Sequence, residues 1–446
     1  MLAERYLDSD RVRRPADCCG GHCRGEHMWE AGLEESSGAG VGAGAASGAS
    51  GRELFSPLSI RGVTLRNRIA LSPMVQTSAF DGMPNDWHLM HLGARAAAGV
   101  GLVMTEATAV SPEGRISPYD LGLWSEGHVD AHRRLVAFIE SQGAVPGIQL
   151  AHSGRKGSMA RPYNECGLVP VHWLYPGEGG WPVMGASSVR FGPGAPVPRE
   201  MAAADIECVQ SEFERSAGYA VEAGYRWIEL HAAHGYLPHC FYSPLSNKRE
   251  DSYGGDRVGR SRFLLETAAR VRRRIPADTV LSVRISYTDW LSGGWDIDDS
   301  IYLAGRLKQL GVDIIDVSSG GNSPDTVAVM KDLPREGCDG ESPASGVIPL
   351  YPGYQVDAAA RIRREVDIPV AAVGLIEDPV FATEIIAGGR ADLVMLGRAL
   401  LRDPLWAARA ASTLNCCELV ALAPQYYLGW KSVGNYAYHY SCGVPG

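Results

Sequence analysis

The chain has 446 residues, 45% hydrophobic and 21% charged, with 42 Lys and Arg against 51 Asp and Glu for a formal net charge of −9. That length suits one large domain with insertions, or two domains, with ample apolar material for a core. A net acidic chain without a long basic block is a poor nucleic-acid binder, and no apolar run reaches the roughly 18 to 20 residues that span a bilayer, so neither partner is expected.

Glu4, Asp8 and Asp10 interrupt the place where a signal peptide keeps its apolar core. The stretch Cys18-Cys19-Gly20-Gly21-His22-Cys23 has no second ligand pair at zinc-finger spacing, so no metal is expected. Residues 38–51 are almost all Gly, Ala and Ser, the composition of a flexible linker. These features divide the chain into a disordered N-terminal extension and linker (1–51), a folded unit (52–414) and a C-terminal tail (415–446). The ten cysteines are scattered without a framework, which reads as reduced thiols and a cytoplasmic location, with organelle targeting by residues 1–50 left open.

From residue 54 the chain alternates between short Val/Ile/Leu runs and longer amphipathic stretches. The apolar runs predict strands at 68–74, 101–107, 145–150, 227–231, 280–285, 313–317, 369–374 and 391–397. The clearest helices are predicted over 130–142, 206–223, 261–274, 300–310, 355–365, 379–387 and 404–414. Several close on a glycine, at Gly143, Gly224 and Gly311, as a left-handed helix cap requires. This alternation predicts a (β/α)₈ barrel with a parallel sheet. An open doubly wound sheet is the runner-up, weakened because no Gly-x-Gly-x-x-Gly follows the first strand. Three long connections, 151–204, 234–257 and 318–353, follow strands three, four and six, which puts them on the C-terminal face where barrel enzymes keep their active sites.

Polar residues gather at the same strand ends: Gln149 and His152, His231, His234 and Tyr236, Arg284, Ser318 to Gly320, Gly374, and Gly397 with Arg398. His231 and His234 can aim two N–H donors at one oxygen, an oxyanion-type site for a carbonyl, and Tyr236 offers a proton. A metal pair is the competing reading, disfavoured because no carboxylate or third His stands close by in sequence. Gly397-Arg398 with Gly374 has the makings of a phosphate site.

The motifs that follow are more specific. Leu65-Arg66-Asn67-Arg68, Ser72-Pro73-Met74, Asn85-Asp86-Trp87-His88, Glu106-Ala107, Gly114-Arg115-Ile116, and the run from Gly147 to Lys156 come first. Then stand His231-Ala232-Ala233-His234-Gly235-Tyr236, the run from Ser243 to Arg249, Tyr253-Gly254-Gly255, Leu396-Gly397-Arg398 and Asp403-Pro404. In this number and order they resemble the Old Yellow Enzyme family, in its bacterial-type, thermophilic-like subgroup, over about residues 54 to 430. The resemblance implies an FMN-dependent ene-reductase. NADPH or NADH would reduce non-covalent FMN, and a small-molecule α,β-unsaturated carbonyl would then take hydride at its β carbon.

By the same resemblance Ser72, Pro73, Met74, Ala107 and Gln149 line the flavin ring, and Arg284 sits by its N1 and O2. Ser319, Gly320, Gly374, Gly397 and Arg398 hold the phosphate end. His231 and His234 bind the substrate carbonyl, and Tyr236 donates the proton. Three positions depart from the subgroup: Val75 stands where a Cys is usual, Thr77 where a Tyr is common, and Leu428 where an Arg often reaches a partner subunit. A shared-site homodimer is therefore left open. Another flavin barrel oxidoreductase (a dienoyl reductase or a dehydrogenase) and a non-catalytic flavin sensor are the alternatives. No four-cysteine cluster for an iron–sulfur centre is present, and the intact His231, His234 and Tyr236 argue against a sensor.

Overall fold

The eight apolar runs become strands that leave no sheet edge. They are β1 (Ile69–Leu71), β2 (Leu102–Ala109), β3 (Val145–Ala151), β4 (Trp227–Ala232), β5 (Val280–Ser286), β6 (Ile314–Ser318), β7 (Val370–Val373) and β8 (Leu393–Leu396). In the computed structural model these strands pair in parallel, β4-β5-β6-β7-β8-β1-β2-β3, and close into a barrel. The structure describes residues 51–439 except 165–166, 171 and 331–345. The extension over 1–50 lies outside the described residues. Every residue of β2, β4, β5, β6 and β8 is buried. Continuous apolar runs arise because one face of each strand meets the barrel interior and the other meets a helix.

The helices on the outside are α1 (Asp86–Ala97), α2 (Glu126–Ser141), α3 (Ala203–Ala223), α4 (Leu237–Tyr242), α5 (Arg257–Arg274), α6 (Ile297–Gln309), α7 (Val356–Val366), α8 (Pro379–Ala387), α9 (Arg398–Arg402) and α10 (Trp406–Thr413). Most begin or end within a turn of the predicted limits. Periodicity did not single out the short α4 and α9, nor the longer α1. Its start is the Asn85-Asp86-Trp87-His88 motif. Asn85 Oδ1 accepts from Trp87 N at 3.0 Å, and His88 Nδ1 accepts from Asn85 N at 3.1 Å, a reciprocal cap of the helix. The glycines Gly143, Gly224 and Gly311 have φ of 73°, 102° and 88°, the left-handed geometry expected of them. Among the described residues no helix is long and apolar enough to cross a membrane.

The motif Leu65-Arg66-Asn67-Arg68 lies at the opposite end of the strands from their C-terminal loops, where it joins connections. The Arg66 guanidinium donates to the carbonyls of Ala96 at 2.7 Å, Val100 at 2.8 Å and Gln142 at 2.9 Å. Asn67 donates to Gly99 O and accepts from Ile69 N. Arg68 reaches Ser56 Oγ and Asp392 O. The described residues after α10 pack on this end as well: Leu422 and Tyr436 are buried, and Ala423 N donates to Ala97 O.

This geometry yields a stability prediction. Arg66→Ala removes the guanidinium that donates to the carbonyls of Ala96, Val100 and Gln142 at and just past the ends of α1 and α2. It should destabilise the fold by about 3 kcal/mol, the scale of losing charge-assisted hydrogen bonds at a buried site. Urea unfolding followed by far-UV circular dichroism measures this, and an unchanged midpoint would show that Arg66 does not hold the helix ends.

Candidate active site

At the C-terminal ends of the strands the interior of the barrel carries charge. Arg284 on β5 lies opposite Asp316 on β6 and His231 on β4 in the register. Its Nε donates to Asp316 Oδ2 at 2.7 Å, and Nη2 donates to Ser72 Oγ at 2.9 Å. Glu229 Oε1 stands 3.8 Å from Nε and accepts from Gln149 Nε2 at 2.8 Å. Burial works against the Arg284 charge, yet Asp316 and Glu229 together hold it above the ordinary guanidinium range. Burial, with the neighbouring Asp316 charge, pushes Glu229 up to about 7. Sequence reading missed Glu229 and Asp316. The available signal was a carboxylate inside each of two otherwise buried strands.

Above this cluster opens a cleft lined by Ser72, His234, Arg284, Ser318, Gly374, Gly397 and Arg398, with Tyr354, Gln355, Leu375 and Ile376 on its far wall. It brings together Ser72, Arg284, Gly374, Gly397 and Arg398 of the expected cofactor set. Met74 borders the same strand end, its sulfur 3.4 Å from where a Cβ on Gly397 would stand. Among the described residues nothing accepts from the Arg398 guanidinium or from the main-chain N–H of Leu375, Ile376 or Arg398. A Cβ on Gly374 would come within 3.0 Å of Gln355 Nε2 and Tyr354 Cε1. Unused donors around a narrow, partly open cleft suit a phosphate monoester, and Arg284 below suits the electron-rich edge of a flavin ring, so these residues fit FMN.

Two expected ligands stand otherwise. Ser319 Oγ donates to Gln355 Oε1 at 2.6 Å, and Gly320 N donates to Thr288 O at 2.8 Å. Neither group lines the cleft; Ser318, Tyr354 and Gln355 do. Gln149 is buried and faces Glu229 inside the barrel. Ala107 follows an irregularity in β2 between Met104 and Ala107 and borders a small cavity with Tyr236. Pro73 is half-buried at the end of β1.

The three strand-four residues meet ring to ring. The His231 ring lies 5.2 Å from His234 and 4.8 Å from Tyr236, near-perpendicular to both. His231 Nδ1 accepts from Ala233 N at 3.3 Å, which leaves the proton on Nε2. His234 Nε2 pairs with Ser318 Oγ at 2.7 Å, which leaves Nδ1 as the nitrogen without a protein partner. Burial, reinforced by the nearby Arg284 and Lys156 charges, drives both imidazoles well below their usual range, so both are neutral N–H donors. Burial and then the Asp120 charge keep the Tyr236 phenol protonated.

Tyr236 also borders a mostly apolar groove of about 810 Å³, lined by Val75, Thr77, Trp87, Ile116, Met159, Tyr163 and Leu401. That is the size and character of a small-molecule site. Lys156 Nζ at the same groove donates to His234 O at 2.8 Å and Gly321 O at 3.0 Å, and sits 5.1 Å above the Tyr236 ring. Burial, together with the Arg155 charge, lowers Lys156 to about 8. Lys156 was legible only as the end of a motif. Among the described residues no group of three or more His, Cys, Asp or Glu could hold a metal.

Comparison with known proteins places this arrangement. A family model described as NADH:flavin oxidoreductase / NADH oxidase matches residues 53–416. An NADPH dehydrogenase of Geobacillus thermodenitrificans is 42% identical over 380 residues, 85% of this chain and 98% of that protein. An NADPH dehydrogenase of Bacillus subtilis is 41% identical over 381 residues, 85% of this chain and 99% of that protein. Among solved structures, morphinone reductase superposes with a TM-score of 0.63 at 22% identity, covering 87% of this chain and 95% of its own. At that identity the likeness is one of fold.

The cleft generates a binding prediction. Arg398→Ala should weaken FMN retention by about 1.5 to 3 kcal/mol, the scale of a hydrogen bond to a charged group. Flavin fluorescence on dilution reads the dissociation constant, and retention equal to wild type would remove Arg398 from the phosphate site.

Proposed function

The chain belongs to the NADH:flavin oxidoreductase / NADH oxidase family and is an FMN-dependent NAD(P)H oxidoreductase, and from that premise we propose that it is an ene-reductase acting on small α,β-unsaturated carbonyl compounds. Bound FMN supplies a two-electron hydride carrier, reduced by NADPH or NADH and reoxidised by the enone. The protein's own residues do the rest. His231 Nε2–H and His234 Nδ1–H hold the carbonyl oxygen and stabilise the negative charge that grows there. Tyr236 delivers its proton to the α carbon. Arg398 and the free N–H groups of Leu375 and Ile376 would hold the phosphate, and Arg284 would place a cation beside the flavin ring.

The observation that carries this reading is the placement of a protonated phenol at an apolar groove, in ring contact with a neutral imidazole that keeps one N–H free. Val75 and Thr77 stand in the wall of that groove, so the positions where this chain departs from the family pattern bear on what the groove accepts. We also assign the catalytic unit to residues 52–414, with the N-terminal extension outside it.

Tyr236→Phe separates the two half-reactions. Reduction of FMN by NADPH should stay near normal, while reoxidation by cyclohexenone slows by about 10²- to 10⁴-fold, the range for losing a general acid. Reoxidation by oxygen should survive, because it needs no carbonyl activation. Stopped-flow absorbance measures all three, and equal slowing of reduction and enone reoxidation would make Tyr236 structural. In a second measurement, deletion of residues 1–50 should leave flavin content and melting temperature unchanged. A large loss of either would place the extension within the catalytic unit.

A further inference from the structure

His234 and Tyr236 sit on a turn that an ordinary chain avoids. His234 has φ of 59° and Gly235 of 76°, two consecutive left-handed residues, the first of them not glycine. Glycine is required second: a Cβ there would stand 2.3 Å from Gly321 O. Such a turn persists only when its surroundings over-determine it. Three side chains do so, each from outside the turn. Ser286 Oγ accepts from His234 N at 2.9 Å, Lys156 Nζ donates to His234 O at 2.8 Å, and His239 Nδ1 accepts from Gly235 N at 2.9 Å.

The third contact constrains chemistry as well as position. To accept the Gly235 N–H, His239 must be neutral with its proton on Nε2. That nitrogen stands 3.0 Å from Asp289 Oδ1, a close electrostatic contact outside hydrogen-bond geometry, and neither atom has a hydrogen-bond partner. The other oxygen of Asp289 is fully engaged: Oδ2 accepts from Ser243 Oγ at 2.6 Å and Trp295 N at 2.8 Å. The imidazole stacks on Tyr242 at 4.6 Å, and neither His239 nor Asp289 has side-chain exposure. The pair contacts neither the cleft nor the groove, so the chemistry proposed above does not use it.

We propose that Asp289 and His239 are positioning residues. Asp289 fixes the Nε2–H tautomer of His239, and His239 Nδ1 then holds the Gly235 amide and with it the strained turn that aims His234 and Tyr236. The catalytic side of this inference rests on the ene-reductase reading; the tautomer and the turn do not.

Asp289→Asn tests it in the FMN-bound protein. Oxygen Oδ must remain toward the Ser243 and Trp295 donors, so the amide NH₂ faces His239 Nε2. The imidazole proton then moves to Nδ1, where it opposes the Gly235 N–H. With ¹⁵N-labelled histidine, the His239 ring resonances should switch from the Nε2–H to the Nδ1–H pattern. Hydrogen exchange at the Gly235 amide should accelerate about ten-fold or more, the size of one lost hydrogen bond. Reoxidation by cyclohexenone should slow by a similar factor, with FMN content unchanged.

A second pair of variants guards against general loss of structure. His239→Asn can return an acceptor near the Nδ1 position and should keep the Gly235 amide protected, whereas His239→Leu should not. Unchanged tautomer and exchange in Asp289→Asn, or equal exchange in His239→Asn and His239→Leu, would overturn the proposal. A wild-type protein that never reduces an enone would instead sink the ene-reductase reading. The tautomer and exchange measurements would still decide the role of the pair.

Discussion

A guanidinium buried inside a barrel must be neutralised where it stands, and much of this site follows from how Arg284 is neutralised. A lone charge there would cost several kcal/mol, so Asp316 and Glu229 flank it from the neighbouring strands. The two carboxylates outnumber the one cation. Burial, and after it the Asp316 charge, pushes Glu229 up to about 7, and Gln149 and Ser282 donate to it. The far side of Arg284 reaches Ser72 at the end of β1, across the barrel. One ion cluster thus joins β1, β3, β4, β5 and β6 at the level where the cleft begins. Arg284 is thereby held where it lines that cleft.

The two ends of the barrel divide their work differently. At the end away from the site, left-handed residues are mostly glycine helix caps, and Arg66, Asn67 and Arg68 tie carbonyls together. At the site end, left-handed residues that are not glycine follow one strand after another: Thr77 after β1, Ser158 after β3, His234 after β4, Trp290 after β5 and Leu375 after β7. Each costs about 1 to 3 kcal/mol and needs contacts that hold it. Strain is gathered where side chains must be aimed. Lys156 illustrates the support: one ammonium holds the carbonyls of both His234 and Gly321, so two loops share a single brace.

Much of this was legible residue by residue. Eight apolar runs predicted eight strands because a strand buried on both faces is mostly apolar, with few polar positions to interrupt it. Gly143, Gly224 and Gly311 marked helix ends because only a residue without a Cβ adopts that backbone without strain. Helix α1 escaped because His88, His91 and Arg95 are polar yet buried, which blurs its apolar stripe. Glu229 and Asp316 escaped because a carboxylate in a buried strand is compensated by residues from other strands. Ser319 and Gly320 were correctly placed at a strand end, but their hydrogen-bonding groups turn to Gln355 and Thr288.

The amino-acid sequence by itself determined the barrel and the family. Each of these is encoded in periodicity and in motifs local to the chain. Only the tertiary structure decided which polar groups are already satisfied and which remain free for a ligand. The Arg398 guanidinium is free and Ser319 Oγ is not; His231 keeps Nε2–H and His234 keeps Nδ1; His239 Nδ1 accepts the Gly235 N–H. Those outcomes depend on partners tens to hundreds of residues away or on the fold of a turn. A hydrogen bond is a property of a pair, and the pair exists only after the chain has closed on itself.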